Sequence, residues 1–200
     1  MKQPESNFRN MVISLGGITI VAAVLLSWVN GVTEAPIKEA EFKSQTAAME
    51  KVMPQHDNNP FDDKFTTTIN GTEVTIYPAI ADGKLAGAAV ESSADGFAGK
   101  IAVVYGFEAD GTVKDYSVLQ HSETPGLGSK MQEWFRDPQG KRSIVGRNPG
   151  TERLTVSKDG GDVDAITAAT ISSRAFLKTL DSAFKAYMEY SSNQKGQDNE

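Results

Sequence analysis

EVTIYPAIADGKLAGAAVES, residues 73–92, decides the fold. Its two β-prone runs, Glu73–Ile80 and Leu85–Ser92, flank Ala81-Asp-Gly-Lys84. An Asp-Gly pair between such runs predicts a tight hairpin. The pattern repeats downstream, where Ile101–Glu108 and Val113–His121 flank Ala109-Asp-Gly-Thr112. Two successive hairpins build an antiparallel sheet. Past residue 170 the period becomes helical: Phe176, Leu177, Leu180, Phe184, Tyr187 and Met188 fall on one stripe. In between, Ser129–Phe135 reads as a short helix whose Trp134 and Phe135 serve the core or face a ligand. Arg136–Asn148 reads as a basic loop, and Arg153–Ser157 as a further strand. The expected class is α+β, an antiparallel sheet with helices packed at one side.

Upstream of the sheet, no residue from Asn10 to Thr33 is charged. As a helix this stretch reaches roughly 36 Å, enough to cross a hydrocarbon core of about 30 Å. Trp28 sits where an interfacial aromatic belongs. A secretory signal peptide is the competing reading. Its apolar region is shorter, and Thr33-Glu34-Ala35-Pro36 makes a poor cleavage site, so a retained anchor is expected. Lys2 and Arg9 before the span point the N-terminus to the cytoplasm and the folded domain outside it. Thr33 or Glu34 can cap a second helix with Pro36 in its first turn, ending before Pro54. His56–Lys64 reads as loop, and the His56–Asp57 pair as surface. The expected organisation is a cytoplasmic N-terminus at 1–9, a transmembrane helix at 10–33, a linker helix at 34–54, an extracytoplasmic domain at 55–191 and a disordered tail at 192–200.

Composition excludes several function classes. A net charge of −6 without a basic patch argues against nucleic acid. The absence of cysteine removes disulfides, iron–sulfur clusters and thiolate metal sites, and two histidines, His56 and His121, are too few for a multi-histidine metal centre. An electron carrier of this composition needs an organic cofactor.

The chemistry-bearing stretch is Asp164-Ala-Ile-Thr-Ala-Ala-Thr-Ile-Ser-Ser173, after the loop Gly160-Gly161-Asp162. It puts the Thr170 hydroxyl at a helix N-terminus, where N–H groups and the helix dipole favour phosphate. Thr170, Ser172 and Ser173 are equally candidates for helix caps that bind nothing.

The stretch resembles the flavinylation motif Asp-x-x-Ser/Thr-Gly-Ala-Thr of the FMN-binding domains in the Rnf and Na⁺-pumping NADH:quinone reductase complexes, with Ala168 where the family usually has Gly. His121-Ser-Glu-Thr-Pro-Gly-Leu-Gly-Ser-Lys130 looks like a second segment of the Rnf G subunit, and Gly96-Phe-Ala-Gly-Lys-Ile101 like a third, ahead of the central sheet. The resemblance covers Val12 to about Met188 and favours the Rnf G subunit, through Ile171-Ser-Ser-Arg-Ala175 and the short chain.

The resemblance implies a membrane-anchored, electron-carrying subunit of a bacterial inner-membrane complex that couples electron flow to ion transport. In such a complex the other membrane subunits are its partners, and a flavin transferase esterifies FMN to Thr170. Asp164 and Thr167 are then recognition or loop-fixing residues, and the backbone of Ala169–Ser172, beside Ala168 and Ser173, holds the phosphate. Glu123, Thr124, Gly126, Leu127 and Gly128 meet the isoalloxazine ring, and Lys130 or Arg174 is a candidate phosphate counter-ion. No catalytic base and no metal site are expected within the chain. The alternatives are a flavodomain of another pathway, such as the C subunit of the Na⁺-pumping quinone reductase, or a flavin-free anchored adaptor.

Overall fold

The computed structural model describes residues 8–197, and the first residues of the expected cytoplasmic N-terminus lie outside them. The chain divides into two units, residues 1–45 and 46–200.

The described residues of the first unit are helical. Helix α1, Phe8–Val52, runs unbroken through the boundary expected at 33/34 and on into the second unit, with Pro36 inside it. Thr33 does not cap a new helix: its hydroxyl donates back to the carbonyl of Val29 at 2.8 Å, as a helix-interior threonine does. Lys38–Glu34 and Lys43–Glu39 pairs, one turn apart, support the exposed helix around the proline. α1 is long and apolar enough to cross a membrane.

The second unit carries a five-stranded antiparallel meander in sequence order: β1 Phe65–Ile69, β2 Thr72–Ala81, β3 Lys84–Asp95, β4 Lys100–Glu108 and β5 Val113–Gln120. Both expected hairpins are present. Asp82 and Gly83 have φ of 52° and 72°, the two positive values that a two-residue hairpin turn demands. Strand β1 is an addition to the expected sheet. Asn70-Gly71, with φ of 52° and 78°, makes the same turn and pairs Phe65–Ile69 with Thr72–Ile76.

After the sheet come the turn Gly128–Lys130, helix α2 Met131–Trp134, and helix α3 Thr170–Gln197. The strand expected at Arg153–Ser157 is instead coil leading into a 3₁₀ turn, Ser157–Asp159, with one parallel bridge between Val156 and Val163. Arg153 there holds the loop through backbone bonds to Thr155 and Asp162 rather than to a neighbouring strand. α3 continues through Gln197, so the expected tail is helical as far as it is described.

Strand alternation gives the sheet two apolar faces. Val74, Ile76, Val90, Val103, Tyr105 and Phe107 meet Phe176, Leu180, Ala183 and Tyr187 of α3 in the main core. Phe176 stacks on Phe135 with centroids 4.4 Å apart, which settles Phe135 as core. Trp134 is half-buried, donating to the carbonyl of Asp164 at 2.8 Å with the Arg142 guanidinium over its ring. On the other face Tyr77, Ala79, Ala89 and Val104 pack against Met49, Val52 and Met53.

Candidate functional site

Three connections reach the same end of the sheet. The β3–β4 loop Gly96–Gly99 closes with a 2.8 Å bond from Gly96 N–H to the Gly99 carbonyl and carries Phe97 at its tip. The exit of β5 lies beside the start of β4, through the Ala102–Gln120 pair, and leads into His121–Gly128. The third is the first turn of α3. Their residues Phe97, Glu123, Thr124, Leu127, Gly128, Ala168, Ala169, Thr170, Ile171 and Ser172 line one cleft of about 390 Å³. This volume suits a small-molecule ligand.

Glu123 ties the three segments together. Its Oε1 accepts from the N–H groups of Phe97 and Ala98 at 2.8 and 3.0 Å, and its Oε2 accepts from the Ser172 hydroxyl at 2.5 Å. The carboxylate is buried, and its charge is met by donors from two other segments. The N–H of Glu123 in turn donates to Nδ1 of His121 at 3.3 Å. Gly128 lies so close that a Cβ on it would stand 2.6 Å from the Ser172 hydroxyl.

The segment before α3 is a turn closed by Ala169 N–H to the Ile166 carbonyl at 3.0 Å. Ala168 is its third residue and has φ of 60°, a backbone region that favours glycine. Ser173, fully buried, accepts from Ile166 N–H and donates to the Ala169 carbonyl, both at 2.9 Å. The first helical bond is Ser173 N–H to Ala169 at 3.0 Å. Among the described residues, the N–H groups of Thr170, Ile171 and Ser172 donate to no backbone acceptor. These are the free donors of a helix start, here opening on the cleft.

The Thr170 hydroxyl makes no capping bond among the described residues. It accepts from Nζ of Lys158 at 3.4 Å. Phe97, Leu127 and Ile171 are exposed apolar side chains on the cleft walls. A hydroxyl among free N–H groups, next to an ammonium and between apolar walls, offers an anion site beside apolar surface.

The remaining expected site residues stand outside the cleft lining. Asp164 accepts from Lys141 N–H at 3.1 Å and from the Ser157 hydroxyl at 3.3 Å, so it fixes loops. Thr167 is exposed in the turn, and Gly126 lies at an exposed bend where its N–H donates to the Ser129 hydroxyl oxygen at 2.9 Å. Ser173 braces the turn from beneath. Of the two expected counter-ions, Lys130 is exposed away from the lining, and Arg174 makes two 2.8 Å bonds to Asp159, which hold that carboxyl below its usual range. Lys158 is a cation that sequence reasoning misses, because nothing local marks it. Phe97 and Ile171 could have been found, since each stands in a segment already singled out. The His56–Asp57 pair is structural: His56 Nδ1 lies 2.9 Å from the Pro54 carbonyl, and Asp57 accepts from Asp82 N–H at 3.0 Å.

The fold and the cleft define a domain class, and residues 96–185 match the family model described as FMN-binding domain. That stretch begins at the Phe97 loop and ends within α3, taking in all three cleft segments. Along most of its length the chain is also similar to the G subunit of the ion-translocating oxidoreductase complex from several organisms. It is 33% identical to the protein of Cereibacter sphaeroides, over 83% of this chain and 78% of that one. Identity is 31% with that of Stutzerimonas stutzeri, over 93% and 83% of the two chains. With that of Methanosarcina acetivorans it is 32%, over 93% and 95%. The chain belongs to the family of G subunits of ion-translocating (Rnf) oxidoreductase complexes.

Proposed function

We propose that this chain is the membrane-anchored flavoprotein subunit of an ion-translocating electron-transport complex, carrying FMN as a phosphoester on Thr170. One observation carries the reading: the Thr170 hydroxyl stands uncapped at the start of α3, among three free N–H groups on an open, apolar-walled cleft. The helix start holds the phosphate, Phe97, Leu127 and Ile171 cover the ring, and Glu123 keeps the loop and the helix in register. FMN supplies redox chemistry there, and its attachment prevents loss of the cofactor outside the cytoplasm.

Among the described residues, no base able to activate Thr170 is a hydrogen-bond partner of its hydroxyl, and a neutral hydroxyl is a poor nucleophile. The ester is therefore made by a flavin transferase. The Thr170 oxygen bonds to the flavin-side phosphorus of FAD, the pyrophosphate bond breaks, AMP leaves, and the hydroxyl proton passes to a base outside this chain. α1 anchors the domain, with the N-terminus cytoplasmic and the cleft on the extracytoplasmic side, where it exchanges electrons with the other membrane subunits. The span between Asn10 and Thr33 has no charged residue, so the ion path lies in those subunits.

The test is intact mass and in-gel fluorescence of the full chain, co-expressed and exported with a flavin transferase. Wild type is expected to gain one FMN less one water and to fluoresce after denaturation, whereas Thr170→Val gains nothing. A colourless wild type, with a control substrate labelled in the same cells, overturns the proposal.

A further inference from the structure

We infer that the 3₁₀ turn Ser157–Asp159 is a phosphate clamp in which Lys158 binds the flavin phosphate that Thr170 accepts; this rests on the function proposed above. The turn is fastened on both flanks of the lysine. On one side the Ser157 hydroxyl donates to Asp164 at 3.3 Å, and Ser157 N–H donates to the Val163 carbonyl at 2.7 Å. On the other, Asp159 is held by the two 2.8 Å bonds from Arg174, one helical turn along α3 from Thr170. With its neighbours fixed to the motif segment and to the helix, Lys158 is brought to 3.4 Å from the Thr170 oxygen.

Among the described residues, no other cation makes that contact. Arg174 is taken by Asp159, Lys141 pairs with Asp162 at 3.4 Å, and Arg153 donates to the Asp159 carbonyl at 3.3 Å. A phosphodiester between Thr170 and the flavin carries one negative charge, which the free N–H groups share and one ammonium neutralises. During transfer the same ammonium, donating to the Thr170 oxygen, stabilises the charge that grows there as the proton leaves. Asp164 acquires a physical role as well. It touches neither the hydroxyl nor the cleft, and it acts by holding the turn that presents Lys158.

The experiment is a time course of FMN incorporation by intact mass, using the full unlabelled chain in detergent with FAD and limiting flavin transferase. Wild type, Lys158→Arg and Lys158→Gln are compared at low and high salt. Lys158→Gln is expected to incorporate flavin about tenfold more slowly and to lose most of the salt dependence that wild type shows, because a charge-assisted contact is gone. Lys158→Arg is expected to stay within about threefold of wild type, since it keeps the charge. Melting temperatures of the unlabelled variants should coincide, the lysine being exposed, so a slow rate cannot be assigned to misfolding. Equal rates for Lys158→Gln and wild type, or an arginine variant as slow as the glutamine one, overturn the clamp and leave the Thr170 ester standing. A wild type that takes up no flavin overturns both.

Discussion

Ala168 sets the local cost of the site. Its φ of 60° is natural for glycine and costs an L-residue about 1 kcal/mol or more. Ala168→Gly removes that strain, partly offset by the greater freedom of glycine in the unfolded chain, for a net stabilisation of about 0.5–1 kcal/mol. Thermal unfolding of the two full-length proteins checks this; a lower melting temperature for the glycine variant would mean that the methyl group packs favourably in the turn. The turn matters because it aims the Thr170 hydroxyl. The neighbouring Ser173 is committed to bracing it and Ser172 to Glu123, so of the three hydroxyls only Thr170 is free of a structural acceptor.

At the scale of elements, the cleft exists because a hairpin loop, a strand exit and a helix start share one end of a meander. The join depends on a close approach at Gly128, where a Cβ would meet the Ser172 hydroxyl at 2.6 Å and the Glu123 carboxylate at 2.7 Å. Gly128→Ala pushes the connection off the helix start and disturbs the buried Glu123 contacts. It is expected to cost about 1–3 kcal/mol, as overpacking does. Under the proposed function, flavin incorporation into the folded fraction is expected to fall with it, read by intact mass. A variant with unchanged stability and labelling would show that the connection can move without effect. Pro36 lies inside α1. A proline is a poor helix-interior residue, yet α1 passes through it without a break.

For the molecule as a whole, the tyrosines of the two cores set the alkaline limit. Burial, aided by the charge of Glu91, pushes Tyr77 up to about 12, and burial raises Tyr105, Tyr116 and Tyr187 as well. The folded protein keeps protons that the unfolded chain releases near pH 10. This contribution is complete below about pH 10 and is lost as pH rises through the folded-state values, so stability falls steadily above pH 10. Tyrosinate absorbance and far-ultraviolet circular dichroism, followed together during alkaline titration, are expected to change in one cooperative step above that pH. Full tyrosinate formation with the dichroism intact would contradict it. On the acid side, Asp110, Asp137 and Asp159 are held low by hydrogen bonds from Thr112, Gln139 and Arg174. Their contribution is present above the ordinary aspartate range and fades as pH falls below it.

Local chemistry was legible in the residues themselves. Asp82-Gly83 specifies its hairpin, the uncharged run from Asn10 to Thr33 specifies a long apolar helix, and the ordered motifs mark the three segments that meet at the cleft. Even β1 carries its signal in Asn70-Gly71. It escapes a pattern reading because Phe65–Ile69 is short, polar at its centre and mostly exposed, so it lacks the apolar alternation of the other strands. These features follow from backbone preferences and water avoidance among near neighbours in the chain. What tertiary structure alone decided are the contacts that close over longer separations. Glu123 reaches back to Phe97 and forward to Ser172, Arg174 is drawn away to Asp159, and Lys158 is brought to Thr170. Which cation reaches a hydroxyl depends on how the intervening loops close, and no local pattern around Lys158 encodes that geometry.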